Sequence, residues 1–357
     1  MKVLVVAVSA RMLAELAVAE GYEVIALDHF GDVDLRAVAR CSTAGSNDAL
    51  AALAADIETD AVVYGAGFEN RPDLVARLGI GRELLGTPPE RLAAVRDPWA
   101  LGAAARAAGT RAPETRASGE PARLDPGAWL RKPRWGGGGR GVRRWTGGAL
   151  RPTEILQRHV PGLSCSAVAI GDGRRAVVLG LTEQLHRPRG FGWMGNVVPP
   201  RLPAAELAEL DGQLRAVCAE VAARFGVCGA FGVDAIWDGR QAWVLEVNPR
   251  PPASLELFGP GCFEAHVRGA RGLDVPALSE ARGGATKLIL YADRDVRAPD
   301  PGWWPPGLVR DVPRPDQEIK RGAPVCTLIS AAGGVSELVE RSRGLLAALP
   351  GAVPVGG

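Results

Sequence analysis

The chain has 357 residues, 47% of them hydrophobic and 23% charged, which is long for one core and predicts two or three domains. Its 42 basic and 40 acidic residues leave a formal net charge of +2, so composition gives no support for nucleic acid or a membrane surface as a general partner. No apolar run approaches the ~18 residues of a membrane span. None of the six cysteines stands in a CxxC pair, which argues against a zinc or redox motif and for buried free thiols in a cytoplasmic protein.

The opening MKVLVVAVSA lacks the long apolar stretch and small-residue cleavage site of a signal peptide, and reads as a first strand over Lys2–Val8. Helical periodicity over Arg11–Glu20 stops at Gly21, and Tyr22–Asp28 follows as a second strand. A helix over Leu50–Ile57 and a strand over Ala61–Tyr64 complete a strand–helix alternation, which predicts a parallel α/β domain across residues 1–90. The first turn, Val8-Ser9-Ala10-Arg11, has no GxGxxG, so a dinucleotide reading of this domain is weak and Asp28 reads as a strand-end residue. Next come a helix over Leu101–Ala108 and strands over Trp129–Pro133, Ile155–Val160, Ser166–Gly171 and Arg175–Leu181. The longest amphipathic helix, Leu207–Phe225, stops at Gly226. Strands over Ala230–Trp237 and Ala242–Val247 then flank an Asp238-Gly239 hairpin signal. These elements fill a central domain, residues 91–270. From Thr286 the texture changes, and residues 280–357 read as a small, mostly β domain.

Three groups carry chemistry. In VDAIWDGRQAWVLEVNPRPP, Glu246, Asn248 and Arg250 lie two apart along a strand and address one face, which Asp234 joins across the hairpin. Two carboxylates and an amide oxygen suit Mg²⁺, with phosphates completing its shell, and an arginine beside them suits phosphate oxygens. Any one of these residues alone would read as a turn or surface residue; the set in apolar strands reads as a site. The second group is RKPRWGGGGRGV, residues 131–142. It is no P-loop, because Lys132 precedes the glycines, and by itself it fits a flexible surface hairpin as well as a phosphate-covering loop. The third, Gln157-Arg158-His159-Val160-Pro161-Gly162, is an extended segment whose backbone suits an adenine edge.

In this order the three groups resemble the ATP-grasp superfamily, over about residues 91–265. The segments GAGFENRPDL, RDPWAL and TEQLHRPRGFGWMGNVVPP further resemble a branch described as predicted ATP-dependent carboligases, related to biotin carboxylase. The resemblance implies an α/β protein with an ATP-grasp fold, a parallel α/β domain before it and a small β-rich domain after it. It assigns Lys132 to the nucleotide and Gly136, Gly137, Gly138, Gly139 and Gly141 to a loop over the phosphates. Gln157, Arg158, His159, Val160 and Ser164 go to the base and ribose. Asp234, Glu246 and Asn248 become ligands of Mg²⁺ (Mn²⁺ as the alternative), with Arg250 and Lys132 as the catalytic cations. Glu183, Gln184 and Asn196 are the candidates for substrate contact, with Arg187 or Arg189 available for a carboxylate.

Two departures stand out. The phosphate-contacting lysine of an Asp-Lys pair is replaced in Arg96-Asp97-Pro98, where Arg96 is the available substitute, and no acid follows the hinge at Ser164-Cys165-Ser166. The implied function is an Mg-ATP-dependent ligase that activates a carboxylate as an acyl-phosphate and joins it to an amine, in small-metabolite or cofactor biosynthesis. Two alternatives accompany it: carboxyphosphate formation from bicarbonate, and nucleotide binding without turnover. The expected partners are small-molecule acids and amines, with a homodimer as a family-level expectation.

Overall fold

The computed structural model describes residues 1–119, 124–125, 127–276, 284–331 and 334–351. The apolar runs at the N-terminus form a parallel sheet of β1 (Lys2–Val6), β2 (Glu23–Asp28), β3 (Arg40–Thr43), β4 (Ala61–Tyr64) and β5 (Glu83–Leu85), ordered β3-β2-β1-β4-β5. In β1, Val3 and Val5 enter one apolar cluster while Leu4 and Val6 enter another, so the strand is covered on both faces. That explains its unbroken hydrophobic sequence. The helix Arg11–Ala19 ends where Gly21 takes a φ of 86°, a left-handed conformation that glycine adopts without a Cβ clash. The sheet order reverses between β1 and β4, and this opens a crevice at their carboxyl ends.

A small antiparallel sheet follows, built from β6 (Thr115–Ala117), β7 (Trp129–Pro133), β8 (Arg143–Arg144) and β9 (Glu154–Arg158) in the order β6-β9-β7-β8. The largest sheet contains β10 (Leu163–Asp172), β11 (Ala176–His186), β12 (Trp193–Val198), β13 (Cys228–Trp237) and β14 (Ala242–Asn248). One face is covered by the helix Ala204–Phe225 through Leu210, Leu214, Val217 and Val221, and the helix ends at a left-handed Gly226.

The C-terminal strands are β15 (Ala285–Tyr291), β16 (Val296–Arg297), β17 (Val309–Arg310), β18 (Glu318–Ile319) and β19 (Pro324–Ser330). Except for the β16–β18 pair, they do not make a sheet of their own. β15 pairs with β12, placing Asn196 opposite Lys287, and the eight strands run β14-β13-β10-β11-β12-β15-β19-β17. The expected boundary at residue 280 and the tail beyond 351 lie outside the described residues. A final helix, Val335–Ala348, packs on this end through Leu338.

Several elements differ from the sequence expectation. β11 runs on to His186 and β12 starts at Trp193, so Glu183, Gln184 and Asn196 lie on strands rather than on a loop. Their polar side chains break the apolar alternation that marks a strand. The helices Val33–Val38, Pro72–Leu78 and Pro89–Val95 span six or seven residues, too few for a helical period to show.

The three parts of the chain meet at Arg11. Its side chain is 1% exposed and donates to Glu15 (3.0 Å), to Glu256 (2.5 and 3.2 Å) and to Asp311 (3.0 and 3.2 Å). Lys287 on β15 donates to Glu256 as well, at 2.5 Å. Removing one partner from a buried ion network leaves uncompensated charge, at a cost of about 3–5 kcal/mol. Arg11→Ala is therefore expected to lower the urea midpoint sharply, whereas exchange of the exposed Arg71 for alanine leaves it within experimental scatter.

Candidate active site

The hairpin of β13 and β14 sets Asp234 directly opposite Glu246, and Gly232 opposite Asn248. Asn248 Nδ2 donates to Asp234 Oδ2 at 3.0 Å, and from β11 Gln184 Nε2 donates to Asp234 Oδ1 at 2.9 Å. Strand pairing between β13 and β14, and between β10 and its two neighbours, thus assembles the group without help from loops.

Positive charge reaches it from three directions. Lys132, on β7, donates from Nζ to Gln157 Oε1 at 2.9 Å and faces Glu246. Arg96 follows the helix Pro89–Val95 and is 8% exposed. It donates to Val247 O (2.9 Å), Gly136 O (2.5 Å) and Asn70 Oδ1 (3.1 Å), and its Nη1 lies 3.9 Å from Glu246 Oε2. Arg250 pairs with Glu69 at 3.3 Å and donates to Asn248 Oδ1 at 3.3 Å.

The charges shift one another. Burial and the adjacent Glu246 push the Asp234 carboxyl above its ordinary value. Burial pushes Glu246 the same way, but Arg96, Lys132 and Arg250 outweigh it and hold Glu246 below the usual carboxylate range. Burial lowers Lys132. Two opposed carboxylates and an amide are hard oxygen donors, and a divalent cation between them would remove the repulsion that burdens Asp234. Among the described residues no group of three or more His, Cys, Asp or Glu side chains is placed to hold a metal. The protein thus offers a two-carboxylate set that fits a cation whose remaining ligands are phosphate and water.

The glycine loop lies over the same cleft. Gly138, Gly139 and Gly141 have φ of 61°, 69° and 75°, and Gly138 O accepts from Trp193 N at 3.0 Å. Gly136 is tied to Arg96, while Gly137 has open space where a Cβ would stand. Of the hinge segment, Gln157 is buried between Lys132 and Thr115, and the Arg158 and His159 amides donate to Glu114 O and Ala128 O. The Arg158 side chain is exposed, Val160 is half-buried, and burial lowers the His159 imidazole. Ser164 donates to Gln184 Oε1 at 2.8 Å, which links it to the Asp234 group.

Asn196 shares a sheet face with Gln184, its direct strand partner, and donates to Thr182 at 2.8 Å. Glu183 does not join this group. Strand alternation turns it to the other face, where it is buried against Arg201. Sequence reasoning overlooked Glu69, Asn70 and Lys287. The first two stand in the loop after β4, the kind of carboxyl-end loop from which parallel sheets build sites; Lys287 is a lone charge inside TKLILYA.

Comparisons with known proteins agree with this geometry. Residues 95–254 match the profile of the ATP-grasp domain. The formate-dependent phosphoribosylglycinamide formyltransferase of Syntrophotalea carbinolica is 28% identical over 148 residues, 40% of this chain and 33% of that protein. The chain therefore spans about a third of that relative's length. Among solved structures, biotin carboxylase of Campylobacter jejuni superposes with a TM-score of 0.71 at 16% identity, covering 97% of this chain and 91% of that one. N5-carboxyaminoimidazole ribonucleotide synthetase of Thermotoga maritima gives 0.67 at 16% identity, covering 98% of both. The strand order, the paired carboxylates under a glycine loop and the matched profile together show that this chain carries an ATP-grasp domain.

Proposed function

We propose that the protein is an Mg²⁺- and ATP-dependent ligase that converts a carboxylate into an acyl-phosphate and joins it to an amine. The observation that carries this reading is the Asp234–Glu246 pair, bridged to Asn248 and ringed by Lys132, Arg96 and Arg250. In the proposed reaction a carboxylate oxygen attacks the γ-phosphorus of ATP and ADP leaves. The amine then attacks the acyl carbon, phosphate leaves, and the nitrogen gives up a proton. Such chemistry asks a protein mainly for alignment and charge neutralisation.

Asp234, Glu246 and Asn248 would hold the magnesium, which supplies charge compensation at the phosphates. Lys132 and Arg250 would meet phosphate oxygens, and Gln157 fixes the Lys132 ammonium. The glycine loop, with Gly136, Gly137, Gly138, Gly139 and Gly141, would cover the phosphates. The hinge from Gln157 to Val160 would meet the base through its backbone, and Ser164 would stand at the ribose end.

Arg96 answers the lysine missing at Pro98: its guanidinium already lies between the loop and the metal-binding strand. This favours turnover over mere nucleotide binding. The formyltransferase relative is formate-dependent by name, which supports an organic carboxylate as the activated acid; the bicarbonate alternative rests on likeness of fold alone. Gln184 and Asn196 form a polar row leading away from Asp234 and are proposed to contact the acid or the acceptor. We assign residues 1–90, 91–270 and 280–357 to three functional units and the setting to the cytoplasm, which the free state of all six cysteines supports.

Two outcomes follow. Phosphate release from ATP should require an acid, an amine and Mg²⁺ together and should stop with a chelator, while Glu246→Ala should lower it by about 10²–10³-fold. Failure of the wild-type chain to bind Mg-ATP would overturn the reading. The loop makes its own prediction, because a Cβ at Gly139 would stand 1.8 Å from Phe191 O. Gly139→Ala should displace the loop, seen as faster proteolysis within residues 134–142 and weaker nucleotide binding; Gly137→Ala should change neither.

A further inference from the structure

The polar row beside Asp234 is made of side-chain amides, and an amide can meet a ligand with either its oxygen or its nitrogen. Here the partners fix which. Gln184 Nε2 donates to Asp234 Oδ1 at 2.9 Å, and Gln184 Oε1 accepts from the Ser164 hydroxyl at 2.8 Å. Asn196 Oδ1 accepts from the Trp193 indole Nε1 at 3.1 Å, and Asn196 Nδ2 donates to Thr182 Oγ1 at 2.8 Å. An indole can only donate and an ionised carboxylate can only accept, so neither amide can be turned round. Each amide nitrogen keeps a second N–H with no partner among the described residues. Gln184 and Asn196 are direct partners across β11 and β12, which puts their Cβ atoms about 5 Å apart.

The Trp193 contact exists because the strand pairing is irregular. Residues three apart on a regular strand point to opposite faces, so Trp193 would point away from Asn196. The pairing runs Gln184–Asn196, Leu185–Gly195 and then His186–Trp193, which leaves Met194 as the extra residue of a bulge. Met194 packs with Leu185 against the apolar cluster of the C-terminal strands, and Trp193 is carried to the face of Asn196. The backbone of Trp193 is held at both ends. Its N–H donates to Gly138 O at 3.0 Å, and its carbonyl accepts from the Tyr291 hydroxyl at 3.2 Å. Lys287, opposite Asn196, is 3% exposed and already engaged by Glu256 and Ala253 O. The row therefore meets a ligand with two neutral N–H groups. These suit the oxygens of a carboxylate and offer nothing to an ammonium group, which has only hydrogens to give.

We propose that Trp193 is a positioning residue for the acid: its indole N–H locks the Asn196 amide as a hydrogen-bond donor, and Asn196 and Gln184 together receive the carboxylate that ATP activates. This rests on the ligase reading above and decides between its two substrates, giving the row to the acid and not to the amine.

Hydroxylamine traps an acyl-phosphate as a hydroxamate with release of phosphate, so the acid can be followed without its natural amine. Wild type, Trp193→Phe, Asn196→Ala and the double variant are assayed with formate, acetate, propionate, glycine and succinate at saturating Mg-ATP. Trp193→Phe keeps the main-chain N–H that meets Gly138 and loses the indole donor. It should raise the KM of the carboxylate that wild type uses about fivefold or more, the worth of one hydrogen bond, and leave the KM for ATP and for hydroxylamine within about twofold. In the Asn196→Ala background the same exchange should change nothing further, because Trp193 acts through Asn196. An unchanged KM for the acid in Trp193→Phe, an equal rise in the KM for ATP, or a further loss in the double variant would each overturn the proposal. Hydroxamate from none of the acids, in a wild-type chain that binds Mg-ATP, would count against the ligase reading itself and remove the role of Trp193 with it.

Discussion

The guanidinium of Arg11 is the constraint on which the assembly of this chain depends. It sits in the first turn of the first helix and reaches a carboxylate just past β14 and another in the C-terminal segment. Apolar packing would hold three parts together without fixing their relative placement to a fraction of an ångström. A buried, fully engaged guanidinium does fix it, because its donors point in set directions and each mismatch leaves a charge unpaired. Glu256 follows Arg250 by six residues, so anchoring one restrains the other.

The same economy of charge shapes the active site. Asp234 and Glu246 face each other across a hairpin, an arrangement of like charges that costs stability. Three cations restrain the cost without removing it. Glu246 stays ionised under Arg96, Lys132 and Arg250, and Asp234 carries the burden. In the proposed reading a divalent ligand would relieve the repulsion between the two carboxylates. The identity of the nearest cation matters for that balance. Arg96 contacts the loop carbonyl of Gly136 and the strand carbonyl of Val247 together, so movement of the loop and the charge felt by Glu246 are mechanically linked.

Much of this was legible in the sequence where local pattern decides structure. Trp129–Pro133 and Ala61–Tyr64 form strands over the expected residues, and the long helix stops at Gly226 as its glycine signals. Asp234 stands opposite Glu246 because a bulge between Asp234 and Ala235 shifts the register that the turn alone would set, a step the sequence does not announce. What was illegible depends on contacts distant in sequence. Nothing near Glu183 tells that Arg201 meets it on the face away from the cleft, and nothing in TKLILYA tells that Lys287 faces Glu256. Glu69 gains its place only when a loop of the first sheet is brought against Arg250, 181 residues later, and Asn70 when it meets Arg96.

The glycine loop shows how the two kinds of information combine. Its composition fixes only that the backbone can take left-handed angles, as it does at Gly138, Gly139 and Gly141. Its position comes from elsewhere: Trp193 holds it from one side through Gly138, and Arg96 from the other through Gly136. Between these two anchors stands Gly137, with open space where a Cβ would stand. A loop pinned at two points by single hydrogen bonds is restrained yet easily released, since each bond contributes only about 1 kcal/mol. Arg96 holds Gly136 through one terminal nitrogen while the other faces Glu246, so the loop and the carboxylate share one guanidinium.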